Sequence, residues 1–145
     1  MSIKKISAMA IAGLLAISAV AAVAQDAFTS EEAVAMRKAL MREDGGLVRS
    51  AGNLTGAQAV AAMQTLLDNY SHIPTLFPEN SIVGDSEALP GIWQNWDTFT
   101  AIVETGKTAA AAGLAAAEAG DSAGYAAALK TLGGTCGQCH QQFRS

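Results

Sequence analysis

From Thr29 to the C-terminus the apolar side chains recur three and four residues apart, and no stretch keeps a period of two, so the chain reads as helices without strands. The first helix opens at Thr29, where Glu32 three residues on completes a capping box. It runs through Val34, Arg37, Leu40 and Met41 to Gly45-Gly46 and resumes to about Ser50. Thr55 with Gln58 repeats that signature and opens a second helix, which carries Val60, Met63, Leu66 and Leu67 to near Tyr70. Pro74, Pro78, Asn80 and Gly84 exclude regular helix between Ser71 and Leu89 and predict one long loop of the functional or cofactor-covering sort. Pro90 suits the first turn of a third helix, which runs through Trp93, Trp96, Phe99, Ile102 and Val103 to Ala119. Gly120 breaks it, and Asp121 caps a fourth helix that carries Tyr125, Leu129 and Leu132 to the end, with Gly133-Gly134 loosening it. Helices of this length on mostly short turns predict an all-α, antiparallel four-helix bundle whose long loop crosses between the second and third.

Ahead of this pattern the chain is different. Of the first 24 residues, 18 are apolar, behind Lys4 and Lys5 and ending in Ala22-Val23-Ala24, the layout of a cleavable secretory signal. The alternative, a membrane anchor, fits less well: the run is Ala-rich, interrupted by Gly13 and Ser18, and short for a hydrocarbon core of about 30 Å. Residues 1–24 are therefore expected to be removed and 25–145 to form the bundle, with no membrane span left. Those 121 residues carry 7 Lys+Arg against 13 Asp+Glu, a formal charge of −6, which makes nucleic acid and anionic membranes poor partners. They hold 23 Ala but only 23 Leu, Ile, Val and Phe together, few large side chains for a core. Either the helices pack very closely or another body fills the middle.

Cys136-Gly137-Gln138-Cys139-His140 is the one cysteine-bearing motif, with the C-x-x-C-H spacing of c-type haem attachment. Two thiols three residues apart can each add to a haem vinyl group, and the next residue is then held under the iron with its imidazole free to bind. Three other readings compete. A thioredoxin-like pair needs an α/β setting, a disulfide leaves His140 unexplained, and zinc wants a fourth ligand where the only other histidine is His72, in the loop beside Pro74. No Ser/His/Asp set, carboxylate dyad or phosphate loop appears.

An exported four-helix chain with C-x-x-C-H near its C-terminus, after Leu132-Gly133-Gly134-Thr135 and before Phe143-Arg144, resembles the class II cytochromes c. These comprise high-spin cytochrome c′ and its low-spin, cytochrome c-556-like relatives. The Leu76-Phe77-Pro78 turn and the Ile92-Trp93 pair add to the likeness, which spans residues 28 to 145. The resemblance implies one covalent haem c held by Cys136 and Cys139, with His140 as proximal ligand. It also places Met41, within Leu40-Met41-Arg42-Glu43-Asp44-Gly45, opposite the iron, as a ligand in low-spin members or as crowding filler in cytochrome c′. The pattern from Glu87 to Trp93 looks more like the low-spin group. A Met on an apolar stripe is ordinarily core filler, and Met36 and Met63 are read that way. Arg37, one turn before Met41, is either a partner for a haem propionate or a solvated surface residue. Arg144 is expected over the proximal side of the haem, and Phe143 and Trp93 against the porphyrin, although both aromatic residues also read as plain core.

The expectation is a periplasmic one-electron carrier, not itself an enzyme, that meets redox partner proteins at its haem edge. The acidic balance points to basic partners. The alternatives are a five-coordinate cytochrome c′ that binds nitric oxide or carbon monoxide, and a haem-free thiol–disulfide protein. Monomer and homodimer, the latter through the first two helices, both stay open. The shortage of large apolar side chains is read as space left for the haem.

Overall fold

The computed structural model describes residues Phe28–Ser145; the expected signal segment, 1–24, lies outside the described residues. Helix α1, Ser30–Ala51, begins as the sequence requires. The Thr29 hydroxyl accepts from the Glu32 amide at 3.2 Å, and the Glu32 carboxylate accepts from the Thr29 amide at 2.9 Å. It runs through Gly45-Gly46 without interruption. Helix α2, Gly56–His72, starts after Thr55, but Thr55 makes no side-chain cap bond, so the second capping box does not form; the chain turns in at Gly56 with φ +53° instead. A 3₁₀ turn at Ile73–Leu76 follows, and the remainder to Pro90 is the irregular loop.

The expected third helix is two helices. Helix α3, Gly91–Gln94, ends at Asn95, whose φ of −130° breaks the ladder and whose side-chain amide donates back to the Gly91 carbonyl at 3.1 Å. Helix α4, Trp96–Ala119, then ends at Gly120 in the left-handed region, φ +68°, where glycine has no Cβ to clash. Asp121 caps α5, Ser122–Phe143, by accepting from the amides of Ala123 and Gly124, and Gly133-Gly134 leaves that helix unbroken.

The four long helices form a bundle in which α4 packs against both α2 and α5. Two glycines of α4 allow the first of these contacts. A Cβ at Gly106 would lie 1.9 Å from the Tyr70 ring, and one at Gly113 would lie 2.7 Å from Met63 Sδ. Met63, Leu66 and Leu132 are fully buried there, and Ala51 and Ala110 close the gaps. This part of the core is filled by close approach, the first of the two expected solutions. Met63 packs as expected, but Met36 does not: it is 41 % exposed, on the outward face of α1 near Phe28. At the other end the core is aromatic. Phe99 stands edge-on to Phe77 and to Phe143, with ring centroids 4.9 and 5.7 Å apart.

Candidate functional site

Beside that aromatic cluster lies a cavity of about 240 Å³. Helix α1 supplies Arg37 and Met41, one turn apart on the same face; α5 supplies Cys139 and His140 and, one turn later, Phe143 with Arg144 beside it. Phe77, Ile92 and Phe99 complete an apolar wall, and Glu87 and Ala88 come from the loop.

The loop is fastened at three places. Arg37 is buried, and its guanidinium donates to Ser81 Oγ at 2.8 Å, Ser81 O at 2.7 Å, Ser86 Oγ at 2.6 Å and Leu76 O at 3.3 Å, over the Phe77 ring at 4.6 Å. It is thus not a solvated surface arginine; it holds the loop from within. Lys38 pairs with Asp85. Arg144 pairs with Glu87 at 2.5 Å, and next to it the Leu89 amide donates to Phe143 O and the Ser145 amide to Glu87 O, both at 2.9 Å. Trp93 is half-buried behind the wall and does not line the cavity. Its indole N–H donates to Phe77 O at 3.1 Å, so it orients a wall residue without being one.

Cys136 and Cys139 form no disulfide with each other. Burial, with Cys136 adding to it, pushes the Cys139 thiol up to about 11, so it is a neutral S–H. Cys136 sits one turn earlier, its sulfur 3.5 Å from the Tyr70 hydroxyl, which also lies 3.1 Å from Thr135 Oγ1. His140 has its pKa lowered by burial and by the nearby Arg144 charge, against an opposing pull from Glu87. Its imidazole is therefore neutral at physiological pH, with a lone pair to give.

Several lining residues carry no site signal in the sequence. Phe99 reads in sequence as one more apolar position on a helical stripe, and Lys38, Arg42 and Glu87 read as surface charge. The Leu76-Phe77-Pro78 turn and the Glu87–Trp93 stretch carried the signal for Phe77 and Ile92. Charge at the site also departs from expectation: Arg37, Lys38, Arg42 and Arg144, four of the seven cations of the described residues, border the cavity, with Lys38 paired to Asp85 and Arg144 to Glu87. The mouth is basic on an acidic chain.

Among the described residues no cluster of three or more His, Cys, Asp or Glu is arranged to hold a bare metal ion, and His72 is exposed at the end of α2. The cavity has the chemistry for a porphyrin. Met41, Phe77, Ile92, Phe99 and Phe143 suit its apolar plane, the cationic mouth suits its two carboxylates, and Cys139 and His140 offer sulfur and nitrogen at one wall.

Comparison with known proteins agrees. The family described as Cytochrome C' matches residues 31–144. The chain is 35 % identical to a cytochrome c-556 of Agrobacterium fabrum over 151 aligned positions, covering 99 % of this chain and 97 % of that one. It is 36 % identical to a cytochrome c-554 of Cereibacter sphaeroides, covering 93 % and 95 %. The fold superimposes on the solved cytochrome c' from Rhodobacter Spheriodes with a TM-score of 0.67 and 31 % identity, over 81 % of this chain and 98 % of that one. The chain belongs to the cytochrome c′ family, the class II c-type cytochromes, four-helix bundles that bind one covalent haem c.

Proposed function

We propose that this cytochrome is a periplasmic one-electron carrier whose haem iron is held between His140 and Met41. The observation that carries the reading is that Met41 on α1 and His140 on α5 border one cavity from different helices. When bound, haem would supply the ferric–ferrous couple, and ligation by Met and His would raise its potential. The chain's residues do the rest. Cys136 and Cys139 tether the porphyrin through thioethers. His140, with a neutral imidazole, and Met41, with its thioether, would hold the iron, and Met41 would keep small ligands from it. Phe77, Ile92, Phe99 and Phe143 keep water from the ring plane. Arg42 and Lys38, at the mouth, offer charge to the carboxylates, with Arg37 beneath them on α1. With no Ser/His/Asp set or carboxylate dyad in the sequence, the work is electron carriage to and from redox partner proteins rather than catalysis.

Likeness to the c-556 and c-554 relatives favours this reading. Likeness to solved cytochromes c′ favours a second one, in which Met41 only crowds an open iron face and the protein binds nitric oxide or carbon monoxide. Adding carbon monoxide to the reduced protein and to Met41→Ala separates them. Carriage requires an inert wild type and a reactive variant, whereas an open site reacts in both.

A further inference from the structure

Helix α1 meets the rest of the bundle by an unusual set of contacts. Its buried residues are Ala33, Val34, Arg37, Asp44 and Ala51, so the two that flank Met41 are both charged. Arg37, one turn before Met41, is tied to the loop. Asp44, three residues after it, is only 3 % exposed, and Asn69 of α2 donates from Nδ2 to Asp44 Oδ1 at 2.8 Å. The same amide nitrogen donates to Glu43 Oε2 at 3.0 Å. One NH₂ group thus uses its two protons on two adjacent carboxylates of the facing helix.

A buried carboxylate is an expensive way to join two helices, since leaving water costs more than an apolar pair would. What it adds is direction. Apolar packing lets one helix slide or turn slightly on another, but a bidentate amide fixes both height and rotation. Asp44 and Met41 are less than one turn apart on a continuous helix, so a displacement at one is passed to the other nearly undiminished. A thioether binds iron only at contact distance, and a shift of about 1 Å is enough to lose it.

We propose that Asn69 is a positioning residue for Met41: by bridging Glu43 and Asp44 it sets the height of α1 at which the Met41 sulfur reaches the iron held by His140. The inference rests on the His140/Met41 reading and gives a physical role to the Asp of the Leu40-Met41-Arg42-Glu43-Asp44-Gly45 stretch.

The test uses the haem-loaded full-length protein. Asn69→Leu keeps the volume and removes both donors. Its reduced form is expected to contain a carbon-monoxide-reactive, high-spin fraction at least about tenfold above wild type, since the loss of even one of the two hydrogen bonds to charged groups corresponds to a change of about that size. Asp44→Asn keeps an oxygen that accepts from Asn69 and leaves the Asn69–Glu43 bond in place, so it is expected to stay low-spin. Leu132→Ala, which loosens the core away from the clasp, is expected to stay low-spin. Two results overturn the proposal: Asn69→Leu as inert as wild type, or Leu132→Ala as reactive as Asn69→Leu. A wild type that itself binds carbon monoxide removes the underlying reading instead, and with it this inference.

Discussion

The Tyr70 ring occupies the space that a side chain at position 106 would need: a Cβ on Gly106 would sit 1.9 Å from Tyr70 Cε1 and 2.7 Å from Cδ1. Helices α2 and α4 are that close, and the ring is wedged between them with its hydroxyl reaching Thr135 on α5. Tyr70 is 5 % exposed and has no room to retreat.

Gly106→Ala is therefore expected to destabilise the protein by about 2 kcal/mol, because the clash outweighs the gain of about 1 kcal/mol in helix propensity. Gly133→Ala, also within a helix but with nothing within 4 Å of its added methyl, is expected to stabilise it by about 1 kcal/mol. Urea unfolding of the two variants tests the contrast. Equal effects of the same sign contradict it.

Asp44 gives the stability a pH dependence. Burial raises its pKa from 3.8 to about 6, with Glu43 adding to the rise and the Asn69 hydrogen bond opposing it. A carboxyl whose folded pKa is raised binds its proton more tightly in the native state. The native state therefore gains as pH falls through 6 toward 4 and carries the full cost of the buried charge above 6. That cost is about 3 kcal/mol for a shift of this size. Asp44→Asn keeps an oxygen to accept from Asn69 and is expected to be more stable than wild type at pH 7, with no change in stability between pH 4 and 6 attributable to this position. Thermal melts across that range read the result.

The three loop fastenings differ in strength. Arg37 is buried with four hydrogen bonds, and Arg37→Gln is expected to cost about 3 kcal/mol, with fast amide exchange appearing around Ser81 and Ser86. Arg144→Gln breaks an ion pair whose partners are about half exposed and is expected to cost less than about 1 kcal/mol. A loop that loosens equally in both variants contradicts the ranking.

The helices were legible because their boundaries are set by short-range chemistry: the Thr29–Glu32 box and the Asp121 cap stand where the sequence puts them. Elsewhere local backbone geometry overrides the apolar pattern. Asn95 breaks a helix that its apolar pattern would continue, and Gln58 makes no box because Gly56 turns the chain first. Met36 has the spacing of a core residue but stays 41 % exposed beside Phe28, His72 and Leu76. At the site, Cys139 and His140 are legible from the attachment spacing, with Phe143 and Arg144 about one helical turn further on, whereas Met41, on a different helix, is reached only through the family resemblance. Ser81 and Ser86 are not legible, since Arg37 finds them across 44 and 49 residues of chain. The composition was only half informative. Alanine and glycine let α2, α4 and α5 close directly on one another, so the shortage of large side chains falls on those contacts, while Phe77, Phe99 and Phe143 gather at the cavity end.

In haem-free protein that difference becomes an expected outcome. The sector around Met63, Leu66 and Leu132 is expected to keep amide protection, whereas α1 and the loop, which meet across the cavity, exchange freely and the melt loses cooperativity. A haem-free chain that melts as sharply as the loaded one contradicts it.

The visible spectrum of the purified protein, oxidised, then reduced, then exposed to carbon monoxide, tests the central assignment most directly. A Soret band with sharp, split reduced bands that carbon monoxide leaves unchanged is the expected result for iron held by His140 and Met41. Broad reduced bands that shift on adding carbon monoxide contradict that ligation and leave Met41 as a packing residue.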